Sequence, residues 1–284
     1  MRLKRYLAAA ILLLVPFSAD AQSSQDNLIN ELYVKSGLEI QGQQIPGSIE
    51  AGFDQAVLQD PYLSRLQRST IVNMREMIQD SFAPELLKKT IIQEIEANMN
   101  AETIQQVIKW LDSALGKKCT RLEEDASDPA LLPEIQRFAA QLQSSPPPPR
   151  RIELIKELDQ SIGATDTLVT ITLNTQFAVA SAIVASRPSE SRPPLSEIKK
   201  QIERSRPHLE PTMKAHVLVM FLYTYQTLTD SEIEAYITFA TSGTGIEYHK
   251  VTVAGYEKAM VHGSLKWGES IGTQLLESEN KSET

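Results

Sequence analysis

Two stretches of this chain, 129 positions apart, carry the same succession of capping, apolar and small residues. Asn100 to Lys118 reads NAETIQQVIKWLDSALGKK, and Thr229 to Glu247 reads TDSEIEAYITFATSGTGIE. Ile104 falls on Ile233, Ile108 on Ile237, Trp110 on Phe239, Ser113 on Ser242 and Gly116 on Gly245. Upstream, LINELYVKSG ending at Gly37 matches LIKELDQSIG ending at Gly163, and Ile91-Ile92 matches Met220-Phe221. Matches that keep their order predict one supersecondary unit used twice, so whatever the first half folds into, the second must fold into as well.

That unit reads as helical. Ile104, Ile108 and Leu111 recur at helix spacing, as do Ile233, Tyr236, Ile237 and Ala240. Thr229-Asp-Ser-Glu232 has the form of a capping box, and Asn100 can cap the corresponding helix in the first half. Ala83-Pro84 and Asp128-Pro129 suit helix starts, where proline loses no needed amide. Val169-Thr-Ile171-Thr-Leu173 alternates like a strand. Its counterpart around Ile45, Ile49 and Phe53 has helical spacing, so both are expected to be helices. The expectation is an all-α chain of two similar helical bundles, spanning 22–143 and 152–276. Ser144 to Arg151, with four prolines in a row, reads as a stiff spacer rather than a docking motif. Residues 277–284 read as a loose polar tail. The run Val217 to Leu222 is apolar nearly all round and is expected to form the most buried helix of the second half.

The N-terminus has a basic start (Arg2, Lys4, Arg5), an apolar run from Leu7 to Phe17, and Ala19-Asp20-Ala21 before Gln22. This is the three-part form of a cleaved secretory signal covering 1–21, with cleavage between Ala21 and Gln22. The run is short for a membrane span, which takes about 20 residues. Removing three bases and one acid takes the formal charge from −8 to −10. So acidic a chain is a poor match for nucleic acid or an anionic membrane, which call for a basic patch. The expected compartment is the bacterial periplasm. Cys119, the sole cysteine, can form no internal disulfide, and its spacing to Leu115 and Leu122 places it in a core.

An aromatic residue, a Ser-x-x-Gly turn and a basic or polar helix follow one another twice. They stand as Trp110, Ser113, Gly116 and Lys117-Lys118, and as Phe239, Ser242 and Gly245. Together with the upstream helix ending in Ser36-Gly37, this resembles the exported bacterial family called domain of unknown function 2059. Ala114 and Gly243 stand where that family usually has proline. The resemblance implies an all-helical periplasmic protein and assigns no catalytic residues. Read from the residues, Ser113 and Ser242 are caps between successive helices, and the glycines let two backbones approach. A nucleophilic serine would need a partnered base and an oxyanion site, and no Gly-x-Ser-x-Gly elbow surrounds either.

The search for other chemistry assigns no catalytic, cofactor or metal residue. His208 and His216 would lie about 12 Å apart along a helix, and Pro211 between them argues against even that helix. His249 and His262 would point apart, and Lys266 shares the face of His262 as on a solvated surface. Gly263 to Gly268 has phosphate-loop spacing, but Glu269 stands where lysine is required. Glu94-Ile-Glu96 and Glu123-Glu124-Asp125 read as solvated faces. Three functional classes follow. The first is a non-catalytic module that binds another envelope protein or its own kind. The second is a helical carrier of an apolar small molecule. The third is a hydrolase built on Ser242 and a distant histidine.

Overall fold

The computed structural model of the chain describes residues 19–59, 67–185 and 192–282, and every element within them is helical. Residues 1–18, most of the expected leader, lie outside the described residues. The backbone at Ala21 and Gln22 belongs to the start of α1 (Ala19–Lys35). There follow α2 (Leu38–Gln59), α3 (Arg68–Ser81), α4 (Pro84–Asn98), α5 (Ala101–Leu111) and α6 (Ala114–Ala126). A one-turn 3₁₀ helix, Pro129–Leu131, leads into α7 (Leu132–Ser144). Then come α8 (Pro149–Ile162), α9 (Ala164–Ala185), α10 (Leu195–Glu203), α11 (Arg206–Thr224), α12 (Asp230–Ala240) and α13 (Gly243–Ser282).

The starts of these helices are written in the sequence. Asn100 caps α5 by accepting the Thr103 amide at 2.9 Å. Thr229 and Glu232 close the capping box of α12, with bonds of 3.2 Å and 2.7 Å. Pro84 opens α4 and Asp128 caps the 3₁₀ turn through the Ala130 amide. The alternating stretch at Val169 is helix, within α9, because Val169 and Leu173 are one turn apart and both buried.

Four readings change in the structure. The extended proline segment is only 145–148; Pro149, Arg150 and Arg151 form the first turn of α8, where a proline ring fits. Arg150 and Arg151 then pair with Glu234 and Asp230 of α12. α11 runs unbroken through Pro211, its sixth residue, at the cost of one backbone bond, to the Pro207 carbonyl. In the run 217–222 only Val217 and Leu222 are fully buried; the residues between them are partly covered, since this face of α11 borders clefts. The backbone of 277–282, read as a loose tail, is the end of α13.

α1 and α8 end alike. Gly37 and Gly163 have φ of 75° and 71°, the left-handed region, and a 22-residue helix follows each at once. A β-carbon at Gly163 would meet nothing within 4 Å, whereas at Gly37 it would approach Thr120 Cγ2 at 3.0 Å and Glu124 Cγ at 3.1 Å. Gly163→Ala should therefore lose about 1 kcal/mol, the backbone cost alone. Gly37→Ala should lose about 2 kcal/mol, as it also crowds α6. Urea unfolding of the two variants side by side checks the difference.

Two cores hold the helices, and they do not divide at the proline segment. One gathers Ile29, Leu32, Ile78, Leu87, Ile91 and Ile104 from α1 to α5 around Val251, Met260, Trp267 and Ile271 of α13. Trp267 is clamped edge-on by Phe53 and Phe82, and its indole N–H donates to the Met74 carbonyl at 2.9 Å. The other gathers Leu154, Ile155 and Leu158 of α8 with Leu222, Ile233 and Ile237, around Cys119 of α6. Each half thus lends the helix that follows its Ser-x-x-Gly turn to the other half's core. α13 lies along both α4 and α9. Sequence periodicity fixes which face of a helix is buried, not against which partner, so this exchange is decided by tertiary packing.

Candidate functional site

The two aromatic–Ser–Gly turns meet where the two cores adjoin, Trp110 and Phe239 packing against both. Trp110 and Phe239 stack face to face, 4.0 Å between centroids and 8° between planes. Ser113 accepts the Gly116 amide at 3.0 Å and Ser242 accepts the Gly245 amide at 3.0 Å, so both hydroxyls are helix caps. Ser242 Oγ also donates to the Phe239 carbonyl at 2.6 Å, which leaves it engaged on both sides. The links between the turns are reciprocal. Lys118 pairs with Glu232 at 2.7 Å, and Thr103 Oγ donates to Glu247 at 3.3 Å. At the 129-residue shift Thr103 corresponds to Glu232 and Lys118 to Glu247, so the same two positions contact each other in both directions.

Beside the stack lies a carboxylate that the sequence reading placed on a solvated face. Glu123 Oε1 accepts the hydroxyls of Tyr225 at 2.8 Å and Tyr236 at 3.1 Å. Burial pushes its carboxyl up to about 7, against the opposing pull of the two phenols. Burial likewise pushes the Cys119 thiol, one turn earlier, up to about 12 and so keeps it an unreactive thiol. The overlooked signal was spacing: Glu123 is four residues after Cys119 and therefore shares its buried face. His249, packed among Tyr236, Phe239 and Tyr248, is driven down to about 4 by burial and stays neutral. Its Nε2 is buried without a hydrogen-bond partner.

Space opens one turn further along α6. That helix stops at Ala126, since Pro129 cannot continue it, and the chain turns through the 3₁₀ helix into α7. Its counterpart α13 has no such stop and runs for 40 residues. The break leaves a cleft of about 300 Å³ between α2, α7, α11 and α13. Its walls are Ile45, Ile49, Leu132, Ile135, Met220 and Met260. Tyr256 also lines it, with a phenol that burial pushes up to about 12 and keeps protonated. Gln41, Ser48, Ser127 and Asp128 add polar lining, and Gln44 differs in that its Oε1 is shut away from solvent with no hydrogen-bond partner. The barrier to turning a terminal amide is low, so either end of this group can be offered to the cleft. Tyr223, donating to Glu134 at 2.9 Å, ties α11 to α7 near by.

Compared with family models, curated proteins and solved structures, the chain matches none. Among the described residues no helix is long and apolar enough to cross a membrane, and no group of three His, Cys, Asp or Glu could hold a metal ion.

Proposed function

We propose that this chain is a non-catalytic binding protein of the bacterial envelope, exported by its N-terminal segment, and that it carries a small apolar molecule in the cleft between α2, α7, α11 and α13. The observation that carries the reading is the cleft itself: mostly aliphatic walls with one orphaned amide oxygen, of the size and make-up of small-molecule sites. We infer further that the protein is a duplicated helical unit related to the family called domain of unknown function 2059. The paired Ser-x-x-Gly turns and the reciprocal Thr103–Glu247 and Lys118–Glu232 contacts support this. In such a duplication the cleft arises where the two copies differ, at the Asp128-Pro129 break. The engagement of Ser242 by its own helix ends speaks against the hydrolase reading.

The test is uptake of the neutral fluorophore N-phenyl-1-naphthylamine by detergent-free protein, with native mass spectrometry of the same material. Saturable one-to-one binding is expected, together with at least a tenfold loss in Ile49→Trp or Met220→Trp at an unchanged unfolding midpoint. Protein that is empty as purified and takes up no probe would overturn the carrier. In-cell crosslinking to a protein partner would then favour the interaction module in its place.

A further inference from the structure

A second opening lies between α8 and α11, away from the cleft, and it too marks a difference between the halves. In LINELYVKSG and LIKELDQSIG, Tyr33 of α1 corresponds to Asp159 of α8. The two positions are buried alike, at 2% and 6% exposure. Tyr33 fills the space between α1 and α4 with its ring, and Lys88 of α4 stands over that ring at 5.3 Å. Asp159 is too short to do the same. Its carboxylate turns to the start of α9, accepting the Thr165 amide at 2.8 Å and the Thr165 hydroxyl at 2.6 Å. A half-open slot of about 240 Å³ lies beside it, with Ile155 and Leu218 at its base and the exposed Pro211 and Ala215 at its edge.

The rim of this slot is cationic. Lys156 from α8 and Lys214 from α11 flank it. Neither ammonium has a carboxylate within ion-pair distance among the described residues, whereas Lys35, Lys118 and Lys258 all do. Asp159 also lines the slot, but both its oxygens are already engaged. Two ammoniums and one carboxylate leave a single net positive charge, which suits a monoanion better than a phosphate dianion. At roughly 30 Å³ for a molecule the size of water, the slot holds on the order of ten heavy atoms.

We propose that the slot between α8 and α11 binds a small carboxylic acid, its apolar body on Ile155 and Leu218 and its carboxylate between Lys156 and Lys214. This site is separate from the cleft of the carrier reading and stands whether or not that cleft is occupied.

Titration calorimetry of the exported chain with octanoate, octan-1-ol and octylammonium at pH 7.5 tests it. Octanoate is expected to saturate one site at least tenfold more tightly than octanol, with octylammonium weakest. The double variant Lys156→Gln, Lys214→Gln should bring octanoate down to the level of octanol and leave octanol unchanged. Ala215→Phe, at an exposed position on the slot, should block octanoate without moving the unfolding midpoint. Octanoate should not displace N-phenyl-1-naphthylamine. The proposal fails if octanoate does not saturate, binds no better than octanol, survives the double lysine variant, or competes with the fluorophore. Loss of fluorophore binding alone sinks only the carrier reading.

Discussion

Gly245→Ala is expected to destabilise the protein by about 3 kcal/mol, and Gly116→Ala by a similar amount. A β-carbon at Gly245 would stand 1.9 Å from the Phe239 carbonyl oxygen, and at Gly116 2.2 Å from that of Trp110. Both obstacles are backbone, and both carbonyls are pinned by accepting the amides of Ser242 and Ser113 at 3.0 Å. Neither can retreat without breaking the turn that joins two helices, nor without parting the Trp110–Phe239 stack. Gly243→Ala is the control. Nothing lies within 4 Å of its β-carbon and it opens α13, so the change should be neutral or favourable by up to about 0.5 kcal/mol. Urea midpoints for the three variants decide the matter. Equal stability of Gly245→Ala and Gly243→Ala would mean that the close approach of the turn is not what sets the crossing of α12 and α13.

Glu123→Gln should stabilise the protein in base and leave it unchanged in acid. A carboxyl whose folded pKa is raised holds its proton more tightly in the native state. Its ionisation therefore carries no penalty below the ordinary value of 4.5, and the full penalty above about 7. At 1.36 kcal/mol per unit this amounts to at most about 3 kcal/mol, less where solvent reaches the group. Glutamine keeps a carbonyl for the Tyr225 and Tyr236 hydroxyls and cannot ionise. A gain of about 2 kcal/mol at pH 8 that vanishes by pH 4.5 is the expected result. His249 works in the opposite sense. Its folded pKa is depressed from 6.5 to about 4, so stability is complete above 6.5 and is lost as pH falls through that window. In the native protein the two slopes offset each other between pH 4.5 and 6.5. Glu123→Gln should expose the histidine slope as a steep decline below pH 6.5. Glu123→Ala, which strands two phenol hydroxyls, should cost about 3 kcal/mol at pH 4.5 and correspondingly less at pH 8, where it also removes the ionisation penalty of the native carboxyl. Chemical denaturation across pH 4 to 8 reads all of this, and a pH-independent effect of the glutamine variant would refute the buried carboxylate.

Much of the local structure was legible because its causes are local. A hydroxyl or amide side chain just ahead of an apolar helical stripe can bond that helix's own free amides, and a glycine at the end of such a stripe can take the left-handed turn that stops it, whatever lies elsewhere in the chain. Asn100, Thr229, Gly37 and Gly163 are such positions, and so are Ser113 and Ser242. The candidate sites were not legible in the same way. The cleft needed the break at Asp128-Pro129 to fall beside α2 and α11, and the slot needed α8 to pack beside α11. Glu123 was misread because neighbouring charges suggested a wet face, although its spacing from Cys119 already pointed inward.

The sequence by itself determined that the described chain is helical, where α4, α5, α6, α12 and α13 begin, and that the Ser-x-x-Gly turn occurs twice, since caps, prolines and apolar spacing act over a few residues. Only the tertiary structure decided that α6 and α13 cross into the opposite half, that Trp110 lies on Phe239, and that two openings remain between helices. Those outcomes depend on which surfaces meet, and a face that must be buried does not say what will bury it.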